Sequence, residues 1–202
     1  MIYTVYTKTY SNIPTDMGEV LRYAGVSGEA ICVESLAWEC LSEADAVLEY
    51  KVCFSEFDIA LTGDKADLGF MTTQSSALSK NLVGCDRIIL FAATLGIGID
   101  RLIAKYSSLS PTKALLLQAI GAERIESLCD AFCADISSMA KESGLKLKPR
   151  FSAGYGDFPL SAQKDIFRVL DCPRKIGLTL NESLLMSPSK SVTAIVGLCK
   201  DR

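Results

Sequence analysis

Histidine is absent from this sequence of 202 residues. Histidine is the usual base in Ser-His and Cys-His nucleophile pairs, and it is the commonest metal ligand in proteins. Its absence therefore excludes those nucleophile pairs and removes the most frequent ligand from any metal site. If a metal takes part in the chemistry, we expect a partner to bring its ligand, and we assign no metal site to this chain.

Long apolar runs and concentrated positive charge are also missing. No run approaches the roughly 18 apolar residues that a membrane-spanning helix needs, and residues 1–7 lack the basic and apolar regions of a signal peptide. The formal net charge is −3, whereas a nucleic-acid surface requires concentrated Lys and Arg. We therefore expect a cytoplasmic protein with no membrane partner and no nucleic-acid partner.

The sequence has eight cysteines but no Cys-x-x-Cys pair, and Cys129 and Cys133 are four residues apart. The cysteines stand singly in apolar surroundings, as Cys32 does between Ile31 and Val33. Cysteine often behaves as a small apolar residue. We therefore predict buried free thiols.

Strand and helix patterns do not alternate regularly along the chain. Stretches rich in β-favouring residues predict strands over residues 2–10, 48–54, 57–61, 67–71, 86–93, 145–148, 176–180 and 191–198. Apolar residues at helical spacing predict helices over residues 16–23, 28–47, 75–82, 101–106, 111–142 and 161–170, and Pro173 is expected to break the chain. This order favours one α+β domain over residues 1–202, with helices packed on a mainly antiparallel twisted sheet.

The longest helix candidate begins at Pro111 and ends before Ser143 and Gly144. Its apolar residues form one broad stripe, and about thirty residues at 1.5 Å each give a length of roughly 45 Å. We expect this helix to be the spine of the domain. Asp130 and Asp135 lie on it, and acids on a long helix usually face solvent.

The stretch that follows, residues 148–160, has the composition of a ligand-binding loop. Its sequence is Lys-Pro-Arg-Phe-Ser-Ala-Gly-Tyr-Gly-Asp-Phe-Pro-Leu. It places one guanidinium (Arg150), one phenol (Tyr155) and two flexible backbone points (Gly154 and Gly156) within seven residues. Proline near each end prevents a helix from continuing, so the backbone is expected to be irregular.

The motif Arg-Phe-Ser-Ala-Gly-Tyr over residues 150–155 resembles the activation domain of cobalamin-dependent methionine synthase, which carries an Arg-x-x-x-Gly-Tyr loop. Residues 175–186 and the Leu-Cys-Asp-Ala-Phe segment at 128–132 are also similar to that family. The resemblance covers roughly residues 112–197 and is weak over residues 1–80. It implies a domain that binds S-adenosylmethionine (AdoMet) and supplies its methyl group when oxidised, inactive cobalamin is reduced and reactivated.

The resemblance and the chemistry of the side chains together suggest a binding site. The Arg150 guanidinium can form two parallel hydrogen bonds to the AdoMet carboxylate. The backbone of Ser152 and Gly154 can approach an adenine edge, and the Tyr155 ring can pack beside adenine or the sulfonium. The resemblance assigns Asp130 to the ligand ammonium. Catalytic residues are not assigned.

Two regions depart from the family pattern. The segment after Tyr155 reads Gly-Asp-Phe-Pro where Pro-x-x-Pro-Asp-His is commoner, and the sequence ends at Arg202 where the family domain continues. We expect the ligand contacts of both regions to differ from those of the family. Glu182 lies in a segment similar to the family, but no direct ligand contact is assigned to it.

The first functional hypothesis is a free-standing reactivation protein that holds AdoMet. Its expected partners are the cobalamin-binding module of a separate methionine synthase, which carries the cobalamin, and a low-potential electron donor such as a flavodoxin or ferredoxin. Two alternatives remain. One is an AdoMet-dependent methyltransferase that uses the turn at Gly96 and Gly98 between a strand and a helix, although that turn also suits simple strand-helix packing. The other is a non-catalytic adaptor for a corrinoid protein.

Overall fold

The computed structural model describes residues 3–26 and 31–200. The strands are β1 (Tyr6–Tyr10), β2 (Tyr50–Asp58), β3 (Ala60–Thr62), β4 (Lys65–Asp67), β5 (Thr72–Gln74), β6 (Cys85–Thr94), β7 (Leu145–Leu147), β8 (Thr179–Leu180), β9 (Met186–Ser187) and β10 (Ser191–Lys200). The helices are α1 (Met17–Tyr23), α2 (Ile31–Asp45), α3 (Ser76–Asn81), α4 (Gly98–Leu109), α5 (Pro111–Glu142), α6 (Gln163–Leu170) and α7 (Cys172–Ile176), with a 3-10 turn over Leu160–Ala162 before α6. The predicted α+β class is confirmed.

The main sheet has five strands in the order β1-β2-β6-β10-β7, and every neighbouring pair is antiparallel. Strands β3, β4 and β5 form a second small sheet, and β8 pairs with β9. The two central strands, β6 and β10, are buried along most of their length. They are buried on both faces because helices and loops cover the sheet from both sides, which also explains their nearly continuous apolar sequences.

Alternate residues of β6 enter two different cores, as the twofold period of a strand requires. Ile89 and Phe91 face the first core, which contains α1, α2, α4 and α5. Ile88 and Leu90 face the second core, which contains α3, α6 and α7. The long helix packs directly on the first face, where the rings of Phe91 and Phe132 lie 4.8 Å apart between centroids.

The predicted long helix is confirmed as α5, which has 32 residues. Ser110 caps its first turn, where the side chain accepts a hydrogen bond from the amide of Lys113, and Pro111 occupies a position that needs no donor. The helix ends at Glu142, and Gly144 adopts a φ of 67° just beyond it. This left-handed conformation is typical of the residue after a helix and favours glycine.

A buried charged pair on α5 fixes the segment before α1, and sequence reasoning missed it. The Arg124 guanidinium donates hydrogen bonds of 3.0 Å to the carbonyls of Ile13 and Pro14. The Glu123 carboxylate accepts from the amide of Asp16 at 3.1 Å. Both charged side chains are almost fully buried. These contacts satisfy backbone groups of an irregular segment that would otherwise be buried without partners.

Asp135 also ties the N-terminal part of the chain to α5. Its Oδ2 atom lies 2.6 Å from both Lys8 Nζ and the Tyr10 hydroxyl on β1. These hydrogen bonds hold the pKa of Asp135 below its usual value, with the Lys8 bond as the largest cause. Asp135 is thus a link between helix and sheet edge, not only a solvated acid.

The predicted division of residues 48–71 into three short strands is wrong. Strand β2 runs without a break over Tyr50–Asp58, because all of its residues pair with β6 or β1. The expected strand over 67–71 is replaced by a turn between β4 and β5. Gly69 adopts a φ of 78° in that turn, and a Cβ there would lie 2.8 Å from the carbonyl oxygen of Asp58.

The predicted chain break at Pro173 is also wrong, because α7 begins at Cys172 with Pro173 in its first turn. Proline is tolerated there since the first amides of a helix have no intrahelical acceptor. Helix α7 ends at Ile176 and is capped by Gly177, so the strand expected over 176–180 shrinks to β8.

Other element boundaries shift by a few residues. The predicted strand 2–10 begins at Tyr6 in the structure, the helix predicted for 28–47 is α2, and the helix predicted for 101–106 extends to the limits of α4. The parts of the first two predictions that cover residues 2 and 28–30 lie outside the described residues.

Every cysteine is a free thiol, as predicted. Six are buried, but Cys133 is half-buried and Cys32 is exposed, so burial was wrongly predicted for Cys32. Among the helices that the structure describes, none is long and apolar enough to cross a membrane.

Candidate functional site

The loop singled out by the sequence begins as an extension of the main sheet. The amide of Phe151 donates to the carbonyl of Ile195 on β10 at 2.9 Å, and the amide of Ile195 donates back at 2.8 Å. The amide of Lys148 donates to the carbonyl of Gly197 at 2.9 Å. Arg150 therefore projects from backbone that is held on both sides by a central strand.

The middle of the loop is a closed turn. The amide of Gly154 donates to the carbonyl of Phe158 at 2.9 Å, and the amide of Phe158 donates to the carbonyl of Tyr155 at 3.0 Å. Gly154 has a φ of 96° and so adopts a conformation that L residues rarely accept. The glycine shapes the turn and leaves the Tyr155 ring exposed at its tip.

Asp157 fastens the far side of the loop to α3. Its carboxylate accepts hydrogen bonds from the amides of Ser76 at 2.8 Å and Ala77 at 3.1 Å, and from the Ser75 hydroxyl. The Ser75 hydrogen bond is the main cause of a pKa of Asp157 below the usual value for aspartate. The departure from the commoner family segment thus supplies a structural anchor, which sequence reasoning did not foresee.

Arg150 lies between two acids of α5. Its Nη2 atom is 3.0 Å from Oε2 of Glu126 and 3.0 Å from Oδ1 of Asp130. The acids are four residues apart, so they share one face of the helix. The Nη1 atom of Arg150 is buried and has no hydrogen-bond partner in the described chain.

A cavity of about 500 Å³ opens beside Arg150, within the usual size range of small-molecule sites. It lies between the loop, α5, the start of α6 and β10. Its lining residues include Glu126, Arg150, Ser152, Tyr155, Gln163 and Thr193. The lining of the cavity therefore combines charged groups, an aromatic ring and neutral polar groups.

The structure brings most of the expected ligand residues together. Arg150, Ser152 and Tyr155 line the cavity. Gly154 shapes the loop without lining it, and Asp130 contacts Arg150 from outside the cavity. Their roles in ligand binding remain predictions.

Two further residues of the cavity were missed by sequence reasoning. Glu126 stands one helical turn before Asp130, so helical spacing alone could have identified it. Gln163 is the first residue of α6 and is almost fully buried, with its Oε1 atom unpartnered. In the sequence, Gln163 is distinguished only as a polar residue next to the apolar face of the helix predicted over 161–170.

The second candidate turn, at Gly96 and Gly98, is filled by the chain itself. A Cβ at Gly98 would lie 2.3 Å from the carbonyl oxygen of Val47, and one at Gly96 would lie 3.1 Å from Cβ of Glu49. Asp100 in the first turn of α4 accepts a hydrogen bond from the amide of Ser189 at 2.9 Å. This packing agrees with a structural turn and leaves little room for a cofactor.

Across residues 3–26 and 31–200, no three His, Cys, Asp or Glu side chains are placed to hold a metal ion. The site contains one arginine, two carboxylates, a phenol and an amide. Such a set can bind a zwitterionic organic molecule by paired charges and hydrogen bonds.

The fold is that of a known class of domain. The chain is similar to a structure described as the crystal structure of the MetH reactivation domain bound to AdoHcy, with a TM-score of 0.65 and 14% sequence identity. The match covers 98% of this chain and 79% of that chain. Among curated protein sequences, none matches.

The sequence identifies the family. Residues 77–200, more than half of the chain, match the family described as the vitamin B12 dependent methionine synthase, activation domain. The chain belongs to this family, as the resemblance of the loop and of its flanking segments predicted.

Proposed function

We propose that this chain binds AdoMet in the cavity beside Arg150 and presents its methyl group to reduced cobalamin on a separate methionine synthase. The observation that carries the proposal is the position of Arg150, which lies at the cavity between Glu126 and Asp130. Family membership and the AdoHcy named for the similar structure support the choice of ligand.

The amino-acid end of AdoMet carries a carboxylate and an ammonium on one carbon. The Arg150 fork is suited to the carboxylate, because a guanidinium donates two parallel hydrogen bonds. Once Arg150 turns to the ligand, Glu126 is released inside the cavity to accept from the ammonium. Asp130 lies outside the cavity and must turn inward past Arg150 to reach the same group. Binding thus exchanges one set of ion pairs for another and leaves no charge unpaired.

The rest of the ligand lies along the cavity wall. The backbone of Ser152 faces one adenine edge, and the turn at Gly154 allows the chain to come close. The Tyr155 ring packs beside the base or the sulfonium cation, which an aromatic face attracts. These residues bind and orient the methyl donor, and no protein nucleophile is required.

Cobalamin is carried by the partner, and in its reduced form it supplies the nucleophile that accepts the methyl group. A low-potential donor such as a flavodoxin or ferredoxin supplies the electron. The contribution of this chain is proximity, since a donor held in line with its acceptor gains a large effective concentration. The exposed edge of the cavity beside Tyr155 is the place for the corrin to approach.

The chain acts as one domain in this proposal. Strands β1 and β2 precede the family match, yet β2 pairs with β6 and β1 pairs with β2, so both belong to the main sheet. The segment before residue 77 therefore shares a core with the matched part. We assign residues 1–202 to a single unit on this ground.

The alternatives place the ligand elsewhere or dispense with it. A methyltransferase using Gly96 and Gly98 would need space that Val47 and Glu49 occupy. A corrinoid adaptor would not need the charged cavity. Isothermal titration of AdoMet into the purified chain tests the proposal: saturable binding that Arg150→Ala weakens supports it, and no binding by the parent contradicts it.

A further inference from the structure

Gln163 carries a buried hydrogen-bond acceptor to which no group in residues 3–26 and 31–200 donates. The residue is only 6% exposed, and its Oε1 atom has no partner in the described chain. It nevertheless lines the cavity beside Arg150. An amide oxygen removed from water without a partner destabilises the folded chain. The terminal amide of glutamine turns between two nearly equivalent orientations. An unpartnered amide oxygen on a residue that lines a cavity therefore indicates that a hydrogen-bond donor can bind there.

The position of Gln163 is fixed by the surrounding backbone. Its own amide donates to the carbonyls of Leu160 and Ser161, where the 3-10 turn passes into α6. Ile166 and Phe167 then bury the inner face of α6 in the second core. The Gln163 side chain consequently cannot move to solvent by a shift of the helix end without unpacking that core.

The loop over residues 148–160 packs against the backbone that precedes Gln163. A Cβ at Gly154 would lie 3.3 Å from Cδ1 of Leu160, so the turn of the loop rests on the start of the 3-10 turn. The cavity is therefore bounded by the charged cluster at Arg150 and Glu126 and by the neutral amide of Gln163. The two regions suit different parts of one ligand.

A glutamine side chain can form two hydrogen bonds with a ring that carries a hydrogen-bond donor next to a hydrogen-bond acceptor. Adenine does so, because its 6-amino group donates and the adjacent ring nitrogens accept, and glutamine pairs with this base through two hydrogen bonds. The charged cluster cannot make the same pairing, since a carboxylate only accepts and a guanidinium only donates.

We propose that Gln163 is the residue that selects adenine as the base of the bound ligand. The 6-amino group donates to Oε1 and Nε2 donates to an adjacent ring nitrogen. The inference rests on the proposed binding of AdoMet in this cavity and adds to it the group that specifies the nucleobase. Gln163 binds the ligand and takes no part in methyl transfer.

The test compares two ligands by isothermal titration. One is S-adenosylhomocysteine (AdoHcy), and the other is its analogue in which hydrogen replaces the 6-amino group of the base. We expect the parent chain to bind AdoHcy roughly 5- to 150-fold more tightly than the analogue. In Gln163→Met, which keeps the length of the side chain without its polar atoms, the two ligands should bind with nearly equal affinity. Lys164→Met is the matched control, because Lys164 is the exposed neighbour on the same helix, and it should discriminate as the parent does.

Each outcome decides a different question. If the parent binds AdoHcy but binds the analogue equally well, the assignment of Gln163 is overturned while the proposed function stands. The same conclusion follows if Gln163→Met is folded and keeps the full discrimination. If the parent binds neither ligand, both proposals fail. The comparison in the parent chain needs no variant, so misfolding of Gln163→Met cannot obscure the result.

Discussion

The Nη2 atom of Arg150 lies 3.0 Å from Oδ1 of Asp130. The sequence suggested these two residues for opposite charges of one ligand, and in the structure they form an ion pair with each other. Glu126 adds a second carboxylate at the same distance. An arginine with two acids is prepared for a zwitterion, because any carboxylate that captures the guanidinium frees an acid for the neighbouring ammonium.

Replacing Arg150 tests the carboxylate site. We expect Arg150→Ala to weaken AdoMet binding by about 1.5 to 3 kcal/mol, the range of a hydrogen bond to a charged group. Arg150→Lys should recover little of the loss, because an ammonium lacks the planar fork. Titration calorimetry measures both. Arg168→Ala is the matched control, since Arg168 is an exposed arginine that pairs with Asp165 on α6. Equal binding by Arg150→Ala and this control would remove Arg150 from the site.

Substitution at Gly98 separates the two candidate cofactor sites. A Cβ there meets the Val47 carbonyl at 2.3 Å, so Gly98→Ala should destabilise the fold by about 1 to 3 kcal/mol through overpacking. Gly96→Ala should also destabilise it, because Gly96 has a φ of 74°. Thermal unfolding should show both effects, whereas AdoMet affinity of the folded variants should not change. Loss of affinity with an unchanged melting temperature would favour the methyltransferase alternative.

The Asp157 anchor predicts a pH-dependent contribution to stability. Hydrogen bonds from Ser75, Ser76 and Ala77 keep the pKa of Asp157 below its usual value. The unfolded chain therefore binds this proton at a higher pH than the folded chain, so the stabilisation is present at neutral pH and disappears as the pH falls through the folded pKa. Asp157→Asn should lower the melting temperature at pH 7, and the difference from the parent should shrink in acid.

Glu182→Gln is the control for that experiment, because Glu182 is an exposed acid. It should melt like the parent at every pH. If the melting temperature of Asp157→Asn were lower than that of the parent by the same amount at every pH, the effect would not come from the charge of the carboxylate.

The central features of the fold could be predicted because they follow local patterns. The apolar runs of β6 and β10 and the stripe of α5 each produced the right element at nearly the right limits. Errors arose where tertiary contacts decide. Tyr50–Asp58 remains one strand because its neighbours in the sheet pair with all of it, and Pro173 is accommodated because it falls in the first turn of α7.

The candidate site was predictable only in part for a related reason. Arg150 and Tyr155 stand in a short motif with unusual composition, which sequence reasoning can find. Gln163 becomes notable only when the loop folds over the start of α6 and leaves its amide oxygen buried without a partner. Burial of that kind is set by packing between distant segments and has no signature in the local sequence.

The most direct test of the account is a reductive methylation assay. It contains AdoMet, a low-potential reductant and a cobalamin-loaded fragment of methionine synthase, with or without this chain, and it measures both the visible spectrum of the cobalamin and the AdoHcy released. We predict that the parent chain accelerates the formation of methylated cobalamin with matching release of AdoHcy, and that Arg150→Ala does so far less at the same AdoMet concentration. Equal rates with and without the chain, or no methylation in its presence, would contradict the account.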